Sequence, residues 1–173
     1  MSDLLQFWGD RLESPTLNEL PADFNRPANG KSTEASTKIG PISGTTASED
    51  EFITDLVVFA LLVRRLSGDE LITIATNNAK QQQFVLTLTL DDPKITFSRL
   101  RVQVAKSYKE LSEKIVPLGE IAKSLQEKKG LEKPPALFTV SFEHSSSDGS
   151  HKALTESVAA GSRRDVALYF DVR

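Results

Sequence analysis

Ser48-Glu49-Asp50-Glu51-Phe52-Ile53-Thr54-Asp55-Leu56-Val57-Val58-Phe59-Ala60-Leu61-Leu62-Val63-Arg64-Arg65-Leu66-Ser67-Gly68 is the stretch on which the fold turns. Ser48 and Glu51 have capping-box spacing: the hydroxyl can accept from the backbone amide of Glu51 while the Glu51 carboxylate returns to the cap. Three acids suit the positive end of a helix, Arg64 and Arg65 suit the negative end, and Ser67-Gly68 supplies the stop. Between those ends Phe52, Leu56, Phe59, Ala60 and Val63 fall on one face, and Ile53, Val57 and Leu61 extend the apolar surface around it. This pattern predicts a helix to about Leu66, buried on most sides, around which a compact core is organised.

Downstream, Leu71 to Thr76 is a short apolar run rich in β-branched residues. Phe84 to Leu90 alternates, with Phe84, Leu86, Leu88 and Leu90 on one side and Val85, Thr87 and Thr89 on the other. Both predict strands. Asp91-Asp92-Pro93 breaks the second, after which Leu100, Val104, Tyr108, Leu111 and Ile115 mark a helix that Pro117 ends. Leu118, Ile121, Ala122 and Leu125 form the stripe of a shorter helix, with Gly130 placed as its left-handed cap. Ala136 to Glu143 is a further alternating strand, with Phe138, Val140 and Phe142 facing together, and Val166 to Val172 is a last one. A Ser-rich loop joins them. Strands and helices without regular alternation predict an α/β domain built on a mixed sheet with helices on one face.

Upstream, Ser14 to Ala47 carries Pro15, Pro21, Pro27 and Pro41 among Ser, Thr, Asn and Gly and shows no useful periodicity, so it reads as an extended leader. Before it, Leu4, Leu5, Trp8 and Leu12 recur at helical spacing and predict a short amphipathic helix that needs something to pack on. The expected organisation is a leader over residues 1–47 and a lobe over residues 48–173. The chain ends at Arg173 straight after an apolar strand, which predicts that it is part of a larger protein.

The whole chain has 173 residues, enough for a single core, and its 39% apolar and 26% charged residues are too apolar a mixture for disorder. A net charge of −3 gives no footprint for nucleic acid. The absence of cysteine excludes disulfides, zinc thiolates, iron–sulfur clusters and a cysteine nucleophile. It also fits a reducing compartment, with the cytoplasm the expected location. The start has no basic region followed by an apolar stretch, and the longest apolar run is too short and interrupted to span a bilayer, so neither a signal peptide nor a membrane anchor is expected.

Candidate chemistry is sparse. His144-Ser145-Ser146-Ser147-Asp148-Gly149 has the His-x-x-x-Asp-Gly spacing that resembles acyltransferases of the chloramphenicol acetyltransferase and condensation-domain type, where the His is general base on the acyl acceptor and the Asp holds the backbone shape. Glu143 stands where a second His belongs, and the stretch also reads as an ordinary solvated loop. Ser43-Gly44-Thr45-Thr46 resembles the phosphate loop of adenylate-forming enzymes, but Glu49 and Asp50 follow where phosphate should lie. His151 sits in the same polar loop as His144, with no metal-ligand spacing around either. The basic residues from Lys94 to Lys133 are interleaved with acids on the polar faces of two helices. No catalytic set, bound cofactor or metal site is therefore expected from this chain's own residues.

A family resemblance carries more. Phe7-Trp8-Gly9-Asp10-Arg11-Leu12, then Leu20-Pro21-Ala22-Asp23-Phe24-Asn25-Arg26-Pro27, resembles the start of the C-terminal half of a nonribosomal peptide synthetase condensation domain. The likeness continues collinearly through Leu61 to Gly68, Leu71 to Thr76, Phe84-Val85 with Thr87-Leu88, Val116-Pro117-Leu118 with Glu120, and Pro135 to Phe142. It implies half of a chloramphenicol acetyltransferase-like fold. The family's catalytic histidines lie in the other half, upstream of the Phe-Trp segment, and its floor-loop region is reduced here to Asn77 to Gln83.

More narrowly, Leu12 to Leu17 leading into Leu20 to Pro27, Ser67 to Glu70, Ala75 to Asn78 and Leu131 to Phe138 are similar to the N-terminus of the fungal L-2-aminoadipate reductases. These are multidomain enzymes of lysine biosynthesis. The resemblance implies a parent enzyme that adenylates L-2-aminoadipate with ATP, loads it on a phosphopantetheine thiol and releases the semialdehyde with NADPH. It implies for this chain a non-catalytic condensation-like platform that docks on the adenylation domain of the same chain, with Trp8, Phe24 and Pro27 as interface candidates. The alternatives are an acyltransferase-type module using His144 as base and a free-standing interaction domain.

Overall fold

A computed structural model of the chain describes residues 2–19, 49–144 and 168–172. Its elements run α1 (Ser2–Arg11), α2 (Glu49–Ser67), β1 (Leu71–Asn77), β2 (Gln83–Thr89), α3 (Phe97–Ser112), α4 (Leu118–Lys129), β3 (Val140–His144) and β4 (Leu168–Val172). The sheet order is β2-β1-β3-β4, with β1–β2 antiparallel and β1–β3 and β3–β4 parallel, a mixed sheet as the sequence predicts.

The apolar run of β1 follows from its central position. Ile72 to Asn77 are all buried, because neighbours on both edges and both faces exclude water. The register sets Ile72 opposite Leu88, Ile74 opposite Leu86 and Thr76 opposite Phe84. These residues, with Val140 and Phe142 of β3, share one face. Helices α2 and α3 pack there. Phe52 and Phe59 of α2 meet the Phe142 ring at 5.5 and 5.0 Å, and Tyr108 of α3 meets Phe84 at 5.4 Å. The predicted helix stripes of α2, α3 and α4 all enter this core.

Several boundaries differ from expectation for physical reasons. Helix α3 stops at Ser112 rather than near Pro117: the Lys114 amide turns back to the Leu111 carbonyl, and the Lys114 carbonyl is taken by Trp8. Strand β3 begins at Val140 rather than Ala136. The β1 backbone groups that an earlier β3 start would bond, the Leu71 carbonyl and Thr73 amide, are already occupied by the Asn18 side chain. His144 is the last residue of β3, paired with Val172, rather than part of the following loop. The expected cap at α4 is observed: Gly130 has φ +62°, and the amides of Leu131 and Gly130 bond the carbonyls of Gln126 and Glu127, closing the helix as a Schellman turn. Helix α2 is not buried on most sides. Leu61 is half-buried, while Val58, Leu62 and Leu66 are exposed. The capping role of Ser48 lies outside the described residues. No described helix is long and apolar enough to cross a membrane.

Candidate functional site

The N-terminal segment is anchored twice, by Trp8 and by Asn18. Trp8 is fully buried within this chain; its indole Nε1 donates to the Lys114 carbonyl at 2.6 Å and its ring meets Phe7 edge-on at 5.4 Å. The Lys114 ammonium lies 4.2 Å from the Phe7 ring centroid, so one residue holds the helix through both its carbonyl and its charge. Lys128 of α4 reaches Asp10 at 3.5 Å and Glu13 at 3.3 Å, and the Lys129 ammonium donates to the Glu13 carbonyl. Those two carboxylates push the Lys128 ammonium up from its ordinary pKa, Glu13 contributing most.

Asn18 closes the seam where the leader crosses the sheet. Its amide Nδ2 donates to the Leu71 carbonyl at 2.9 Å and to Asp69 at 2.8 Å, while Oδ1 accepts from the Thr73 amide at 2.8 Å. One side chain thus does what two backbone groups of a longer β3 would do, and the Thr139 hydroxyl ties the Asn18 carbonyl at 2.8 Å on the β3 side. Asn18 is completely buried with its amide in use on both sides. Sequence reading missed it, because a lone Asn in a polar leader has no periodic signal.

The β1–β2 turn is the other built feature. Asn78 Oδ1 accepts from the amides of Lys80 and Gln82, and Gln81 takes a left-handed φ of +60°. Beneath it the Tyr108 hydroxyl donates to the Asn77 carbonyl at 2.8 Å. Burial, with Glu49 adding, pushes that phenol up to about 12. The segment from Asn77 to Gln83 is therefore a tight hairpin pinned to α3.

Among the described residues, the structure brings no predicted site residues together as a reactive set. His144 ends β3, and Asp148, His151, Ser43 to Thr46, Phe24 and Pro27 lie outside the described residues. Trp8, expected to face a neighbouring domain, has its whole surface covered by its own chain, because α4 and the segment after α3 that carries Lys114 provide the partner that the amphipathic helix needs. Among the described residues no three His, Cys, Asp or Glu side chains converge to hold a metal. The buried hydroxyls of Thr73 and Thr76 have no hydrogen-bond partner among the described residues.

Comparison with known proteins places this geometry. No family model matches the chain. The L-2-aminoadipate reductase large subunit of Penicillium chrysogenum is 36% identical over 143 residues, covering 80% of this chain and 10% of that protein. The L-2-aminoadipate reductase of Schizosaccharomyces pombe is 30% identical over 138 residues, covering 72% of this chain. The chain spans about a tenth of the length of these relatives. Among solved structures, the X-domain from teicoplanin biosynthesis superposes with a TM-score of 0.57 at 17% identity, covering 86% of this chain and 38% of that one. The starter condensation domain of rhizomide synthetase gives 0.57 at 13% identity, covering 83% and 35%. The chain is a homologue of one segment of the L-2-aminoadipate reductases, folded like part of a condensation domain.

Proposed function

We propose that this chain is the N-terminal condensation-like segment of a multidomain L-2-aminoadipate reductase of lysine biosynthesis, where it is a non-catalytic platform docking on the adenylation domain of the same chain. The parent enzyme, in this reading, uses ATP to adenylate L-2-aminoadipate, a phosphopantetheine thiol to carry it and NADPH to release the semialdehyde, all at sites outside these residues. The observation that supports it is the pair of coverages: reductases ten times longer align with most of this chain, while the fold fills only about a third of a condensation domain. A partial lobe with its N-terminal segment pinned at Trp8 and Asn18 is suited to present a fixed surface. Phe24 and Pro27 remain the interface candidates, as apolar residues in a polar leader.

The test is deletion of residues 1–173 from the full-length reductase. The reading expects a lower melting temperature and slower coupled reduction, with the ATP-dependent adenylation half-reaction less affected. A deletion variant with native stability and native rates in both assays overturns it.

A further inference from the structure

The outer face of α2 is an exposed stripe with a charge at each end. Val58, Leu62 and Leu66 are 54%, 43% and 42% exposed, although the opposite side of the same helix is the centre of the core. Asp55 and Arg65 are exposed beside them, and neither forms an ion pair with a described residue. At 100° per residue, Asp55, Val58, Leu62, Arg65 and Leu66 fall within an arc of about 100°, the width of a helix-packing face.

The spacing is symmetric about Ala60. A two-fold axis through that level, relating two antiparallel copies of α2, sets Asp55 opposite Arg65, Val58 opposite Leu62 and Thr54 opposite Leu66. Each pairing then occurs twice. Acid meets base at both ends, and apolar side chains meet in the middle, which is the self-complementarity that an isologous interface requires. We propose that the outer face of α2 is a self-association surface that takes a second copy of this chain, α2 against α2, antiparallel. The small patch makes the dimer weak and concentration-dependent rather than obligate. This inference does not depend on the identity of the parent enzyme.

The test uses the whole 173-residue chain. Sedimentation equilibrium at low salt is expected to show a monomer–dimer equilibrium that weakens as salt is added, since exposed pairs are screened. Asp55→Arg and Arg65→Asp each place like charges at both ends, and each is expected to weaken association about tenfold or more. Mixing the two variants is expected to restore a dimer that contains one copy of each, because every end then again pairs acid with base. Val58→Asp abolishes association in all combinations. Both charge variants alter exposed positions, and circular dichroism with thermal melts confirms that they fold. A wild-type chain that stays monomeric at every concentration overturns the proposal. So does a dimer indifferent to the charge changes, or a failure of the mixed variants to pair.

Discussion

Helices α1 and α2 use their side chains in opposite ways. The short α1 has few apolar residues, yet Trp8 is entirely enclosed, its indole N–H placed on the Lys114 carbonyl. The long α2 is rich in apolar residues and leaves Val58, Leu62 and Leu66 in water. Hydrophobicity sets how much surface a helix could bury; the number and position of its neighbours set how much it does bury. Helix α1 lies against α4, and the Lys114 carbonyl beyond the end of α3 holds its one ring. Helix α2 lies on the sheet and α3, which cover one side of it and leave Val58, Leu62 and Leu66 on the other side exposed.

The sharpest way to break this comparison is to remove the ring. Trp8→Ala is expected to destabilise the chain by about 3–5 kcal/mol, the usual range for an aromatic truncated in a core. Trp8→Phe should lose less, about 1–2 kcal/mol, because mainly the bond to Lys114 goes. Urea unfolding followed by circular dichroism reads both, and a Trp8→Ala loss under 1 kcal/mol would mean that α1 is not anchored as described.

A second test contrasts the two sides of α2. Leu56, fully buried, should lose about 2–4 kcal/mol on truncation to Ala, whereas Leu62→Ala should change stability by less than about 0.5 kcal/mol in the same urea titration of dilute monomer. Equal losses would show the outer stripe to be covered within the chain.

Asn18→Leu leaves the Leu71 carbonyl and Thr73 amide without partners in a buried seam. The expected loss is about 1–3 kcal/mol. Faster amide exchange at Thr73, beyond that of the rest of β1, would locate the effect at the seam.

The smallest effect concerns pH. Because the Tyr108 phenol is raised in the folded state to about 12 from 10.0, its contribution is fully present below pH 10 and is lost as pH rises towards 12. Absorbance titration should therefore find one of the two tyrosines ionising late, and Tyr108→Phe should remove that phase. For the acyltransferase alternative, His144→Ala would have to abolish an acyl-transfer activity. On the platform reading, neither the wild type nor that variant turns over acyl thioesters.

The legible parts of the fold were those carried by repetition. The stripe and C-terminal stop of α2, the alternation of β2, and the Gly130 stop after α4 each involve several residues obeying one period or one end rule, and all appear where the pattern puts them. The resemblance to condensation domains was legible for a related reason: collinear short matches along the chain survive where no single motif is decisive. The illegible parts were single residues acting at a distance. Asn18 works across 55 residues to Thr73, and Trp8 across 106 to Lys114. Neither partner has a local mark, since every residue but proline offers an amide and every residue a carbonyl.

The sequence alone determined the order of helices and strands and the faces they turn to the core, because those depend on periods of 2.0 and 3.6 that neighbouring residues set together. Only the tertiary structure decided that Trp8 is enclosed by its own chain, that an Asn side chain stands in for the start of β3, and that one side of the most apolar helix is left exposed. Those outcomes depend on which elements meet in space, and local periodicity does not encode that.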